Sequence, residues 1–258
     1  MALQPNNPIV NAPNLYVNGL GLHWPVATPL LLNVSAGQCR DSTNVNDIFL
    51  ENDVVVNAAL VGLNGLDTGS LQAGQMYAVY IIGDSTGYNS AGCLLSLNVS
   101  QPHMPAGYDM FRRIGWAPAD GALAQLAKME QYGQNSEREY FYGLYPGMLV
   151  SGNATVWTQV NLGTTVPNVD NLKARLELQF HANVSGAFVS VSPYQLNFAS
   201  LPFLYGPAAI DSFGATLDYS QLIYCPYAMN GADAAVVYVV SNAADTLNIN
   251  VAGFSDSL

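Results

Sequence analysis

The sequence is short of charge. Asp, Glu, Lys and Arg make up 10% of its 258 residues, against about 25% in ordinary soluble domains. Bases are scarcest: there are seven Lys and Arg, and six of them fall between residues 112 and 175. Residues 1–111 carry net −6, 112–175 carry +1 and 176–258 carry −6, which gives the formal −11 of the whole chain. Two acidic flanks around a near-neutral centre exclude sequence-independent phosphate binding, so no nucleic-acid partner is expected.

Long apolar runs are also missing. Ala234–Val240 is seven residues, where a bilayer helix needs about 20, so no membrane partner is expected. Met1–Trp24 has no Lys or Arg and no apolar core, so no secretory signal is expected. Cys39, Cys93 and Cys225 are the only cysteines, an odd number without a Cys-x-x-Cys pair. That fits folding in a reducing cytosol, where the Asn-x-Ser/Thr sequons at Asn33, Asn98, Asn153 and Asn183 carry no meaning. His23, His103 and His181 are scattered, and none lies at metal-ligand spacing from another histidine or a cysteine. No Gly-rich phosphate loop precedes a helix.

What is present is apolar, aromatic and amide. Half of the residues are hydrophobic, and tyrosine occurs 15 times beside Trp24, Trp116 and Trp157. A surface built from Asn, Gln, Ser, Thr and backbone suits packing against other subunits, because few charges need desolvation. The bases Arg112, Arg113, Lys128 and Arg138 read as a solvated face paired with nearby acids. The aromatics serve as core and as subunit contacts, with Tyr16, Trp24, Tyr140, Phe141, Tyr142 and Tyr145 as the candidate interface.

Short strands separated by turn residues dominate the chain. Pro5, Pro8 and Pro13 hold the start extended, so residues 1–24 are read as an N-terminal arm. Leu30–Val34 and Asp47–Val56 read as strands, and Leu60–Thr68 as a Gly- and Asn-punctuated connection. Tyr77–Ile82 and Leu94–Val99 are β-branched and aromatic runs, joined by the turn formers Asp84, Ser85, Thr86 and Gly87. Asp109–Ala117 is the next strand. Asp120–Tyr132 holds good helix formers with Leu123, Leu126 and Met129 at helical spacing, yet Asp120-Gly121 signals a hairpin, which is the reading adopted. A domain boundary is placed between Tyr145 and Pro146. Beyond it, segments 154–162, 175–182, 186–191, 217–224, 234–240 and 246–251 read as strands. Arg175, Glu177 and Gln179 alternate there with Leu176, Leu178 and Phe180. The expected fold is all-β: residues 25–145 and 146–258 as two antiparallel β-sandwich or jelly-roll-like domains behind the arm.

Catalytic chemistry is not legible. Asp41, Asn44, Asn46 and Asp47 are oxygen ligands close in sequence, but they lack the Gly and Glu of an EF-hand loop and read as a backbone turn. Gly83-Asp84-Ser85 resembles an esterase nucleophile turn in outline only, since a strand follows where a helix is required. Cys39 beside Arg40 has no neighbouring histidine and reads as core filler. No catalytic residue, cofactor or metal is expected.

Three segments carry a resemblance: Ala36-Gly37-Gln38-Cys39-Arg40-Asp41-Ser42-Thr43-Asn44, the run Tyr77–Gly87, and Pro105–Trp116. With Ser241–Asp245 and Val251–Phe254, they make the chain similar to a widespread group of tailed-bacteriophage virion proteins. That resemblance implies a non-enzymatic structural role in the virion, as an outer tail, fibre-type or capsid-surface protein, and a hairpin at 120–132. Assembly would take place in the host cytoplasm. The implied partners are further copies of the chain, with a trimer expected, and other virion proteins such as the major capsid or tail proteins. Two rival readings stand beside it: a capsid decoration protein that stabilises the head, and a carbohydrate-binding module for a host-surface glycan.

Overall fold

The computed structural model describes residues 16–25, 27–133, 136–169, 172–184, 187–194, 217–226, 228–230 and 233–258. They are built as largely antiparallel β-sheets, with Gly65–Leu66 pairing parallel to Gly92–Ser96, and the only helical element among them is a 3-10 turn at Gly163–Thr165. The all-β class read from the sequence is therefore the class of the fold. Two compact units form. One runs to Phe141 and also takes in Asp256–Leu258; the other is Tyr142–Ser255. The sequence placed the division between Tyr145 and Pro146 and assigned the last residues to the second domain. The contacts divide the chain slightly earlier and give Asp256–Leu258 to the first unit.

The first unit begins with three strands that each break in the middle. They are β1 (Val17–Gly19) with β2 (Leu22–His23), β3 (Leu31–Val34) with β4 (Gly37–Arg40), and β5 (Asp47–Leu50) with β6 (Val54–Asn57). One set of halves forms the sheet β1-β4-β5 and the other set the sheet β2-β3-β6. The ribbon changes sheet at Leu20-Gly21, Ser35-Ala36 and Glu51-Asn52-Asp53. Side chains replace the interrupted ladder there: Ser35 Oγ accepts Gly21 N at 2.8 Å and Asp53 Oδ1 accepts Ala36 N at 2.8 Å. Leu20 takes a positive φ of 55° at the corner, a strained geometry for a branched residue. Asp47–Val56 is thus two strands in different sheets rather than one, which explains why its alternation is imperfect. The arm reading is corrected for Val17–Trp24, because this stretch carries β1 and β2 and its Val17, Leu20, Leu22 and Trp24 are buried. The rest of the expected arm, residues 1–15, lies outside the described residues.

The central sheet follows. Strand β7 (Gly65–Leu66), β8 (Met76–Gly83), β9 (Gly92–Ser96) and β10 (Met110–Pro118) lie in the order β10-β8-β9-β7. All eight residues of β8 and all five of β9 are buried. Within the sheet β8 is flanked by β9 and β10, with Tyr80 paired to Leu94 and Arg113, and the burial of every β8 residue shows that both of its apolar faces are covered. A bulge between Arg113 and Gly115 bends β10. Gly115 is required there, since a Cβ would run into the Tyr140 hydroxyl and Leu22 Cδ1.

Residues 120–126 form no helix. Asp120 Oδ1 accepts the Ala122 and Leu123 amides at 2.8 and 2.9 Å, and a bridge between Ala119 and Leu126 closes the loop. Side-chain capture of backbone N–H groups by Asp offers the chain a turn in place of the helix its propensities favour. Strand β11 (Met129–Tyr132) then pairs with β12 (Glu137–Tyr142). The chain's last residues join this unit: Leu258 N donates to Ser136 O at 2.8 Å and Ser257 Oγ to Glu137 Oε1 at 2.9 Å.

In the second unit, β13 (Gly147–Gly152) and β14 (Thr158–Asn161) precede β15 (Lys173–Ala182), β16 (Val189–Pro193), β17 (Leu217–Pro226), β18 (Ala228–Asn230), β19 (Asp233–Val240) and β20 (Thr246–Ser257). Here β15 sits between β17 and β20, with β13 also on β20, while β19 is flanked by β14 and β16 and touched by β18. The alternation read for β15 holds. Leu176, Leu178 and Phe180 are buried, and Glu177 and Gln179 meet Asn250 and Asn248 across the strand pair.

Candidate functional site

The turn after β8 is held by one carboxylate. Asp84 Oδ1 accepts Thr86 N at 2.8 Å and Thr86 Oγ1 at 2.6 Å, while Oδ2 accepts Asn89 N at 3.0 Å and Asn89 Nδ2 at 2.8 Å. Gly87 supplies the positive φ of 70° that the reversal needs. Hydrogen bonds, those from Thr86 first, hold the Asp84 carboxyl down at about 2. Ser85 donates its amide to Asp109 Oδ1 at 2.8 Å and its hydroxyl to Asp109 Oδ2, which fastens the turn to the start of β10. The serine faces a carboxylate and backbone, as a turn residue does. Asp84, Ser85, Thr86 and Gly87 thus form the turn that follows β8.

Beside this turn lies a cleft of about 370 Å³ between it and the β5–β6 corner. Phe49, Glu51, Asn52, Tyr88, Asn89 and Ser90 contribute to its lining. Tyr88 is 90% exposed and Phe49 50% exposed. Aromatic rings, a carboxylate, amides and a hydroxyl on a fixed turn can stack on and hydrogen-bond a polyhydroxyl ligand. A second cleft of about 550 Å³ lies around Asp67, Gln72, Asn98 and His103. Asp67 Oδ2 there accepts Ser96 Oγ at 2.6 Å and His103 N at 2.9 Å, so this carboxylate anchors a loop.

The oxygen-rich segment Asp41–Asp47 is a closed backbone turn. Asp41 Oδ1 accepts Thr43 N, Thr43 Oγ1 and Val45 N at 3.1, 2.8 and 3.0 Å, and Oδ2 accepts Asn46 Nδ2 at 2.9 Å. Asp47 pairs with Arg40 at 3.2 Å. Burial pushes the Asp41 carboxyl up, but the hydrogen bonds from Asn46, Thr43 and Val45 outweigh it and leave the group below its ordinary 3.8. A carboxyl with a depressed folded pKa stabilises the fold above its unfolded value and loses that contribution as pH falls through the folded value. Asp41→Asn is expected to cost about 1–3 kcal/mol at neutral pH, with a shallower loss of stability below pH 4. Denaturant titrations of both proteins between pH 7 and 2.5 check this; parallel acid limbs would contradict it.

Among the described residues, no group of three or more His, Cys, Asp or Glu is placed to hold a metal ion. His23 is exposed on β2 and His103 in the loop before β10, and His181 lies on β15 in the other unit. All three cysteines are buried. Burial pushes the Cys39 thiol up to about 12 and raises Cys93 and Cys225 as well, so none is a thiolate at neutral pH.

Two polar clusters escaped the sequence reading. Asp256, 2% exposed, accepts Trp116 Nε1 at 2.6 Å and pairs with Arg113 at 3.4 Å, while the Arg113 guanidinium stacks 4.5 Å from the Trp116 ring. Burial raises the Asp256 carboxyl despite Arg113 beside it. Arg138, 1% exposed, donates to Leu20 O at 2.8 Å and Gly19 O at 2.9 Å, clamping the strained corner. Arg112 is buried too and reaches Asp41 O at 3.3 Å. The solvated basic face is thus corrected: Arg112 and Arg138 are inside, Arg113 covers Trp116, and Lys128 is exposed. Phase gave the available signal, because Arg138 alternates in step with Tyr140 and Tyr142, and Asp256 with Phe254.

The candidate interface aromatics divide. Trp24, Tyr140 and Tyr142 are buried within the chain, and burial raises the hydroxyl pKa of both tyrosines, so these three are core. Tyr142 donates to Thr165 O at 2.7 Å. Tyr16 is half-buried and accepts from Gln38 Nε2 at 2.9 Å; Phe141 is half-buried edge-on to Tyr132 at 5.2 Å; Tyr145 is 43% exposed. Among the described residues, the largest aliphatic exposures lie elsewhere, at Leu144, Val150, Val156, Val45, Val61 and Leu60. No helix among the described residues is long and apolar enough to cross a membrane. No protein-family model matches the chain, and no curated protein matches it.

Proposed function

We propose that the protein is a non-enzymatic structural component of a tailed-phage virion, an outer tail, fibre-type or capsid-surface protein that acts through symmetric contacts between copies. The observation that carries this reading is the placement of large apolar side chains in solvent on a charge-poor chain, with Leu60 56% and Val61 61% exposed on hydrogen-bonded backbone. Such surface is what subunit packing covers. The motif resemblance supplies the virion context, and the partners proposed are further copies in a trimer and the major capsid or tail proteins. Light scattering at micromolar concentration is expected to give a trimer mass, and imaging of virions carrying labelled protein is expected to show label at one structural location. Label on the head selects the decoration role, and label on the tail the fibre-type role. A protein that is monomeric both free and in the particle defeats the reading.

The cleft beside Asp84 favours a second reading, recognition of a host-surface glycan through Phe49 and Tyr88. Calorimetric titration with host-surface oligosaccharide, on the wild type and on Tyr88→Ala, tests it; no heat from the wild type removes it.

A further inference from the structure

We infer that the outer edge of β5, where it faces the cleft beside the Asp84 turn, takes an extended segment of another protein as an added strand, one in which basic and apolar side chains alternate. This rests on the assembly reading above and gives the chemistry of one partner.

The hydrogen-bond parity of β4 shows which way the edge points. Arg40 N donates to Tyr16 O at 3.0 Å, so the backbone groups of Arg40 and Gln38 turn to β1. Asp41 N donates to Asn46 O at 2.8 Å, so those of Cys39 and Gly37 turn to Ile48 and Leu50 of β5. The N–H and C=O groups of Asp47 and Phe49 therefore point away from β4. No strand pairs with β5 on that side, and no hydrogen bond among the described residues uses these groups. Residues 47–52 all line the cleft, as a strand does when it presents its edge and not a face. A row of unpaired donors and acceptors along a strand is the template for one more strand.

The two faces of β5 fix what that strand carries. Ile48 and Leu50 are buried, and Gly83 and Met110 line the cleft with them, so every second side chain of the added strand meets apolar surface. The others meet the opposite face, which carries Asp47 and Phe49 and is continued by Glu51, with Tyr88 exposed across the cleft. The lining holds the carboxylates of Asp47, Glu51 and Asp84 and no Lys, Arg or His. A cation there gains charge pairing and the face of a ring, while an acid is repelled.

This chain cannot supply such a segment. It has seven bases. Arg40 is paired with Asp47, Arg112 and Arg138 are buried, and Arg113 lies on Trp116. Lys173 and Arg175 sit in β15, which β17 and β20 hold on both sides. Lys128 is left, and one base makes no alternating run. The segment therefore belongs to a different protein.

The test titrates the full chain with a fluorescent synthetic peptide of alternating lysine and valine at physiological salt, against its glutamate–valine counterpart. The lysine peptide should bind at least about tenfold more tightly. Exchange of the Phe49 amide should slow by about tenfold or more when it is bound. Phe49→Pro removes the outward N–H, which a free edge tolerates, and Phe49→Ala keeps it. The proline variant should bind about tenfold more weakly than the alanine variant. Equal affinities, or an unchanged exchange rate at Phe49, would mean that charge alone gathers the peptide, and either overturns the inference. Glu51→Gln repeats the test without touching the backbone and should weaken binding of the lysine peptide; unchanged affinity there also overturns it. A chain that self-associates but binds neither peptide overturns the inference and leaves the assembly reading standing. A cleft that takes host-surface oligosaccharide and no peptide overturns it in favour of the glycan reading.

Discussion

Tyr80→Ala should destabilise the isolated chain by about 3–5 kcal/mol, the usual cost of removing a fully buried large side chain. Tyr80 is 1% exposed in the middle of β8, its ring lies edge-on to Phe111 at 6.0 Å, and its hydroxyl donates to Asn98 O at 3.0 Å. Truncation leaves a cavity beside Phe111 on that face of the sheet and takes the donor from the Asn98 carbonyl. Tyr80→Phe keeps the ring and loses only the hydrogen bond, so it should cost about 1 kcal/mol. Burial pushes the Tyr80 hydroxyl up to about 12, so it stays neutral and the difference should not vary between pH 6 and 9. Chemical denaturation of the three proteins measures this. A Tyr80→Ala protein of wild-type stability that fails only in assembly would show that the strand serves a contact between copies and not the core.

Arg138→Met should be nearly as damaging, at about 3–5 kcal/mol, because two carbonyls at the corner lose charge-assisted donors together. Methionine fills much of the same volume, so the loss reports on the hydrogen bonds more than on packing. Burial lowers the Arg138 pKa, but a guanidinium is effectively always protonated in proteins, so the residue is a cation inside the unit. Arg138→Lys should recover only part of the loss, since one ammonium cannot reproduce the planar fork to Gly19 O and Leu20 O. Stability by denaturant and hydrogen exchange at the Leu20 and Gly21 amides check it together. Unchanged exchange at the corner would show that Arg138 is not the clamp.

The strands that could be read from the sequence are those whose pattern has a single cause. Tyr77–Ile82 is apolar on both faces because both faces are covered, and Arg175–Phe180 alternates because one face is covered. The Asp84 turn was legible because its geometry is made by its own side chains. Asp47–Val56 misled because an imperfect alternation does not by itself mark the change of sheet at Glu51–Asp53, and only the partners β4 and β3 distinguish the halves. Segment 120–132 has helical propensities that Asp120 overrides through two amides. Arg138 and Arg112 were placed outside because charge ordinarily means surface; their acceptors, carbonyls of Gly19, Leu20 and Asp41, are far off in sequence. The aromatics singled out as contacts were in part core for the same reason, since composition supplies residue type and not depth. Both the apolar loop and the cleft depend on which side chains the fold leaves uncovered, and no local pattern records that.

The return of Asp256–Leu258 to the first unit bears on how the protein is made. Synthesis is vectorial, and domains generally fold as they emerge, the N-terminal one first. Here the first unit emerges early but lacks the carboxylate that receives the Trp116 indole and the backbone donor that meets Ser136, which arrive only after the whole second unit has been translated. A nascent chain arrested anywhere in the second unit therefore holds an unfinished first one, with an indole N–H and a guanidinium lacking their buried partner. The first unit's packing is therefore complete only once residues 256–258 have been made, so products terminated before them carry an unfinished core that is open to proteolysis.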